Sequence, residues 1–234
     1  MSARKSIVLL PGLLCDAATF EPQIAALSDS CNVQVADFFG YNNLTQMAEY
    51  VLEIAPAEFV LAGFSMGGRV ALEVMRLAPE RVTGLAIFDT GTNARQPGEE
   101  AKRQVLVDLA NTKGMRALAD KWLPPMLHPD RQSDAAFVEN LTAMVCRATP
   151  EIHAAQIKAL LDRPDAGPVL RTIRCPTIVL CGRDDLWSPP EQHVTITAEI
   201  AGAELVIAEH CGHFLPVEAP SILNAALASL VHKS

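Results

Sequence analysis

Apolar positions follow two rhythms along this 234-residue chain. Short, nearly continuous apolar runs alternate with stretches whose apolar residues recur every three or four positions. Runs of the first kind read as strands buried on both faces, and stretches of the second kind as amphipathic helices. Ser6–Leu10 is such a run, stopped by Pro11-Gly12. Phe20–Leu27 has helical spacing. Asn32–Ala36 alternates, with β-branched Val33 and Val35, and reads as a second strand. Thr45 is placed to cap a helix running to Ile54, with Met47, Val51 and Ile54 on one stripe. Glu58–Phe64 is a third strand and Met66–Leu77 a helix, which Pro79 prevents from running on undisturbed. Val82–Phe88 is a fourth strand, ending at Asp89-Thr90-Gly91.

The rhythm then changes. From about Thr92 to Ile173 there is no clear strand pattern. Helical spacing covers Glu99–Ala110, Met115–Leu123, Ser133–Arg147 and Pro150–Asp162, with prolines between. Alternation resumes with a strand at Thr177–Cys181, a helix at Pro190–Ile200, a strand at Glu204–Ala208 and a closing helix at Ala219–Val231. Six strands alternating with helices imply an α/β fold, a parallel sheet covered on both faces. The expected division is a core of residues 1–91 and 174–234, with residues 92–173 inserted after the fourth strand. Ligands bind at the carboxyl edge of such sheets, so the inserted helices would lie over a binding site.

Composition narrows the function. The formal net charge is −8 and half the residues are hydrophobic. An acidic chain without a basic run is a poor partner for nucleic acid or anionic membrane. The first apolar run is too short for a signal-peptide core or a membrane span, so a cytoplasmic location is expected. The six cysteines lack zinc-like spacing and are expected as buried, reduced thiols.

The third strand runs into Gly63-Phe64-Ser65-Met66-Gly67-Gly68. This is G-x-S-x-G with strand before and helix after. The turn lifts a serine hydroxyl clear of the sheet, and small neighbours two residues either side let it be sharp. The pattern alone arises by chance in roughly one chain of this length in twelve, so the strand–turn–helix setting carries the inference. No G-x-G-x-x-G or Gly-Lys-Ser/Thr is present to support a nucleotide site.

A base for Ser65 must also reach the carboxyl edge. His213 follows the last strand, and Gly212 gives its loop freedom to turn; His210 is the competitor. His128, His153 and His193 are expected at the surface, and His232 lies in the tail. The acid that orients the imidazole would come from a neighbouring loop. Asp184 and Asp185, after the fifth strand, and Asp89, after the fourth, all qualify. An oxyanion needs two backbone donors, and Leu13 and Met66 N–H are placed to supply them.

Four segments together, PGLL, AGFSMGGRVALEV, CGRDDLWSPPE and HCGHFLPVEAP, resemble the α/β-hydrolase superfamily in order and along nearly the whole chain. Small capped carboxylesterases, carrier-protein methyl esterases among them, and enol-lactonases are the most similar members. The resemblance implies a minimal six-stranded sheet, a four-helix cap over 92–173, and a Ser65–Asp185–His213 triad. It selects Asp185 over Asp184 and His213 over His210. It implies hydrolysis of a small-molecule ester through an acyl-enzyme, with no metal or organic cofactor. Pro11-Gly12 stands where the family usually has His-Gly, and the pattern shows no counterpart of the family's usual N-terminal antiparallel strands.

Trp122, Met126, Leu127, Phe137, Met144 and Val145 are candidates for an apolar pocket roof, with Leu14, Trp187 and Phe214 below. Arg69, four residues after Ser65, resembles an arginine of the menaquinone-pathway synthase of this fold. That enzyme uses its triad for proton abstraction and elimination. Arg69 would then bind a substrate carboxylate, with Arg103, Arg116 and Arg147 as further candidates. A third alternative is a non-catalytic ligand receptor of the same fold.

Overall fold

A computed structural model describes residues 4–234. It contains one six-stranded sheet in the order β2-β1-β3-β4-β5-β6. The strands are β1 Ser6–Leu10, β2 Asn32–Val35, β3 Phe59–Phe64, β4 Val82–Phe88, β5 Thr177–Gly182 and β6 Glu204–Ala208. Every neighbouring pair is parallel. The central strands β1, β3, β4 and β5 are almost wholly buried, whereas the edge strands β2 and β6 are part-exposed. That gradient explains why the central strands read as continuous apolar runs and β2 as an alternating one.

The helices are α1 Glu21–Leu27, α2 Leu44–Ile54, α3 Met66–Leu77, α4 Glu99–Trp122, α5 Pro129–Gln132, α6 Ala135–Val145, α7 Pro150–Leu161, α8 Gly167–Leu170, α9 Pro190–Glu199, α10 Leu215–Glu218 and α11 Pro220–Lys233. One layer sets α3 on β1, β3 and β4 with α2 beside it, and α9 on β5 and β6; in another, α11 packs on β3, β4 and β5 with α1 against it. Between β4 and β5 lie α4 to α8, with α4 packed on α6 and α7. Among the described residues no helix is long and apolar enough to cross a membrane.

Several local expectations are corrected. The cap of α2 is Asn43, whose side chain accepts from Thr45 and Gln46 N–H; the Thr45 hydroxyl instead donates to Glu73 Oε1 at 2.5 Å. The two helices expected over 99–123 are both present as the two pieces of α4, separated at Gly114, whose non-helical φ 82° and ψ 173° only glycine adopts readily. The helix expected over 133–147 is shorter, Ala135–Val145, because the Asp134 side chain caps α6 by accepting from Phe137 N–H. Cys146 is exposed and Cys175 part-exposed, unlike the four other thiols.

The chain leaves β1 for β2 on one side, then places β3 on the other side of β1 and continues outward to β6. The winding direction therefore reverses at β1. The crevice at the carboxyl ends of β1 and β3 lies at that switch point, where open α/β sheets bind ligands. Leu10 is paired with Gly63 there, so the loops after β1 and β3 emerge side by side.

Candidate active site

The Ser65 turn is strained. Ser65 has φ 52° and ψ −111°, a backbone conformation that costs a non-glycine residue about 1–3 kcal/mol. Packing enforces it, since a β-carbon at Gly63 would lie 2.4 Å from the Gly67 carbonyl oxygen. Thr90 braces the same turn by donating its hydroxyl to the Ser65 carbonyl at 2.7 Å. Thr90 N–H in turn donates to His193 Nε2 at 3.1 Å.

His213 Nε2 lies 2.9 Å from Ser65 Oγ, and His213 Nδ1 lies 2.8 Å from Asp185 Oδ2. The imidazole is 3% exposed as part of its residue and sits against Phe64 and Phe214, with ring centroids 5.5 and 6.2 Å away. Asp185 Oδ1 accepts N–H bonds from Trp187 and Ser188 at 2.8 and 3.0 Å. Burial works to raise the Asp185 carboxyl, but facing His213 and these donors hold it below the ordinary carboxylate range.

The other acids fall elsewhere. The Asp184 carboxylate is exposed and stands 3.6 Å from His128 Nε2. Asp89 is fully buried; its oxygens accept from Gly182 N–H at 3.0 Å and Leu215 N–H at 3.2 Å. It thereby ties the end of β4 to β5 and to the start of α10. Burial, reinforced by the Asp185 charge, pushes the Asp89 carboxyl well above its ordinary range. His210 faces the His128 ring, at 5.7 Å between centroids.

A cavity of about 100 Å³ opens beside Ser65 and His213. Leu13 and Met66 both line it. Met66 is the first residue of α3, where an N–H has no acceptor within the helix and the helix dipole favours negative charge. Arg69, Trp187 and Phe214 line the cavity, as do Trp122, Met126 and Arg103. Leu14 does not. It is fully buried at φ 60°, and its N–H donates to Gln156 Oε1 at 2.9 Å. Phe137 and Met144 border a different groove, beside α1. Leu127 and Val145 are core residues.

The whole chain matches known proteins of one kind. A family model described as Alpha/beta hydrolase family covers residues 7–226. The chain belongs to the alpha/beta hydrolase family. In structure it is similar to the malate-bound thermophilic esterase of Thermogutta terrifontis, at 26% identity and a TM-score of 0.88, covering 98% of this chain and 90% of that one. It is equally similar to the enol-lactonase of Burkholderia xenovorans LB400, at 25% identity and a TM-score of 0.88, covering 99% and 92%. In sequence it is 28% identical over 179 residues to the 2-hydroxy-6-oxononadienedioate/2-hydroxy-6-oxononatrienedioate hydrolase of Escherichia coli (strain K12), which spans 72% of this chain and 60% of that one.

Around this site lies an unbalanced charge cluster. The Glu99 carboxylate meets Arg103 at 2.8 Å and Arg163 at 2.7 Å. Arg69 has no carboxylate partner among the described residues; its Nη1 donates to the Asn93 carbonyl at 3.0 Å. Burial, with Arg163 and Arg103 nearby, lowers the Arg69 guanidinium to about 9, against the opposing pull of Glu99. Arg116 and Arg147 lie outside, paired with Glu139 and Asp16.

Three histidines expected at the surface are buried: His128, His153 and His193. The helical spacing of α7 and α9 turns His153 and His193 inward. Sequence reading also missed Thr90, Gln156 and Glu218. Each acts through backbone atoms brought close only by folding, so no motif marks it.

Proposed function

We propose that this chain is a serine hydrolase that cleaves a small or medium carboxylic ester, lactone or thioester. The observation that carries this reading is the hydrogen-bond line from Ser65 Oγ through His213 to Asp185, at 2.9 and 2.8 Å. His213 Nε2 takes the Ser65 proton as Oγ attacks the carbonyl carbon. Leu13 and Met66 N–H groups receive the oxyanion, a task worth about 3 kcal/mol for one donor. His213 then returns the proton to the leaving alcohol, and water hydrolyses the acyl-enzyme. Asp185 holds the imidazole tautomer that keeps Nε2 free to accept. The activities named for two structural relatives, esterase and enol-lactonase, agree with this bond class.

Residues 92–173 act as a cap on a core of 1–91 and 174–234. Support comes from Trp122 and Met126, which reach the cavity from this insertion. A cavity of about 100 Å³ is far below the room a drug-sized ligand needs, so the acyl group is short. The test is turnover of p-nitrophenyl esters from acetate to decanoate by wild type and Ser65→Ala. Ser65-dependent turnover that declines with chain length is expected. Turnover that survives Ser65→Ala would overturn the reading.

Arg69 favours a second reading, proton abstraction and elimination on a substrate bearing a carboxylate. A part-buried guanidinium without a carboxylate partner, at the wall of the cavity, invites an anion. Labelling of Ser65 by a fluorophosphonate, with no ester turnover across the series, would move the assignment to this second reaction.

A further inference from the structure

We infer that Glu218 is a positioning residue for His213, and that it couples His213 to the Met126–His128 segment of the insertion. The inference rests on the reading of His213 as the base for Ser65. Glu218 is the last residue of α10 and is 7% exposed. Its Oε2 accepts from Gly212 N–H and from Phe214 N–H, each at 3.1 Å. Its Oε1 accepts from His128 N–H at 2.8 Å. One carboxylate therefore holds the residues on both sides of His213 and, at the same time, the insertion.

The backbone of His213 itself is fixed from the insertion side. Its N–H donates to the Met126 carbonyl at 2.7 Å. The two surfaces approach so closely that a β-carbon at Gly212 would lie 2.5 Å from the Met126 carbonyl oxygen. Three successive N–H groups, from Gly212 to Phe214, are thus fixed by Glu218 and Met126. A short helix would satisfy none of these donors by itself, and a neutral polar side chain satisfies fewer.

The carboxylate form is needed for the full set, because an ionised carboxylate only accepts. Glutamine in its place presents an NH₂ to donors on one side, so either His128 N–H or the Gly212 and Phe214 pair loses its acceptor. The His213 backbone then relaxes relative to Ser65. Displacements near 1 Å at a catalytic group cost about a hundredfold in rate. Glu218 itself is absent from the cavity wall, so the substitution removes no direct contact with substrate.

The test compares wild type, Ser65→Ala, Glu218→Gln and Glu218→Asp with a fluorophosphonate probe and a short p-nitrophenyl ester. Complete labelling of wild type and none of Ser65→Ala establishes that the probe reads Ser65. Glu218→Gln is then expected to label to completion but with a rate constant about tenfold to a hundredfold lower. Its kcat should fall in parallel while KM stays within about twofold. Glu218→Asp keeps the charge at shorter reach and should fall between the two. A purely structural role would reduce the titre of reactive sites and leave the rate per site unchanged, which would overturn the inference. So would a wild-type rate per site in Glu218→Gln. If Glu218→Gln yields no folded protein, the rate per site of Glu218→Asp decides by the same criterion. Failure of wild type to label at Ser65 would instead remove the reading of the site itself, and this inference with it.

Discussion

Gly67 lies directly against the end of β1: a β-carbon on it would stand 2.1 Å from the Leu10 carbonyl oxygen. The neighbour is backbone in the middle of the sheet, not a flexible side chain, and it has no room to yield. Gly67→Ala must therefore push α3 away from β1 and with it the Ser65 turn. A loss of about 3 kcal/mol or more is expected, at the upper end for overpacking. Urea unfolding midpoints of the two proteins measure it; a loss under about 1 kcal/mol would show that the elbow has slack.

Ser65, His213 and Asp185 are joined in one hydrogen-bonded line, so their contributions to turnover should not add. Ser65→Ala and His213→Ala should each reduce kcat by about ten-thousandfold or more, and the double variant should lose little beyond either. Steady-state rates on a short ester are sufficient. Losses that multiply would mean that the two groups serve separate steps.

Adjacent aspartates are predicted to behave differently. Asp185→Asn should lower kcat by about a thousandfold to ten-thousandfold, because the amide cannot hold the imidazole in its working tautomer. Asp184→Asn touches an exposed carboxylate 3.6 Å from His128 and should stay within about threefold of wild type. A reversed order would transfer the orienting role by one residue.

His153 is expected to make the fold less stable in acid. Burial, helped by the Arg103 charge, lowers its imidazole from 6.5 to about 4. Below pH 6.5 the unfolded chain takes up a proton at this site that the folded chain refuses until about pH 4. Stability from this group is therefore complete above pH 6.5 and falls as pH drops towards 4. The slope is at most about 1.4 kcal/mol per pH unit. His153→Phe should flatten that part of the profile. Urea midpoints at pH 4.5 and 7 test it, and equal acid sensitivity of the two proteins would refute the assignment.

Glu99 is the sole carboxylate paired with Arg103 and Arg163 among the described residues. Burial opposes its charge, yet Arg163, the Gln96 N–H and Arg103 bring the carboxyl down to about 2. Glu99→Gln leaves those guanidinium groups uncompensated beside Arg69. It should destabilise the fold by about 3 kcal/mol, as removal of one partner of a buried pair does. Arg116→Ala breaks exposed pairs and should leave the unfolding midpoint close to that of wild type. Thermal or urea unfolding of both variants gives the comparison.

Local chemistry wrote much of the architecture into the chain. Ile7–Leu10 and Phe59–Phe64 are apolar without interruption because they are buried on both faces of the sheet, a demand that each residue meets by itself. The Gly63-x-Ser65-x-Gly67 spacing was legible as a motif, although only Gly63 answers to a contact within the turn, while Gly67 answers to Leu10 of β1. Boundaries that hinge on competition between caps were not. Asn43 and Thr45 both carry cap chemistry, and only the position of Glu73 across from α2 draws the Thr45 hydroxyl away.

The sequence by itself thus determined the alternation of strands and helices, the strained serine turn and the small set of histidines and aspartates that follow strands. Those properties depend on neighbours a few positions apart. Tertiary structure alone decided that His153 and His193 turn inward and that Leu14 leaves the pocket for Gln156, 142 positions away. It alone brought Glu218 to three N–H groups from two loops. Such pairings are set by the order in which strands join the sheet and by the distance of closest approach between loops. Neither quantity is encoded at any single position of the chain.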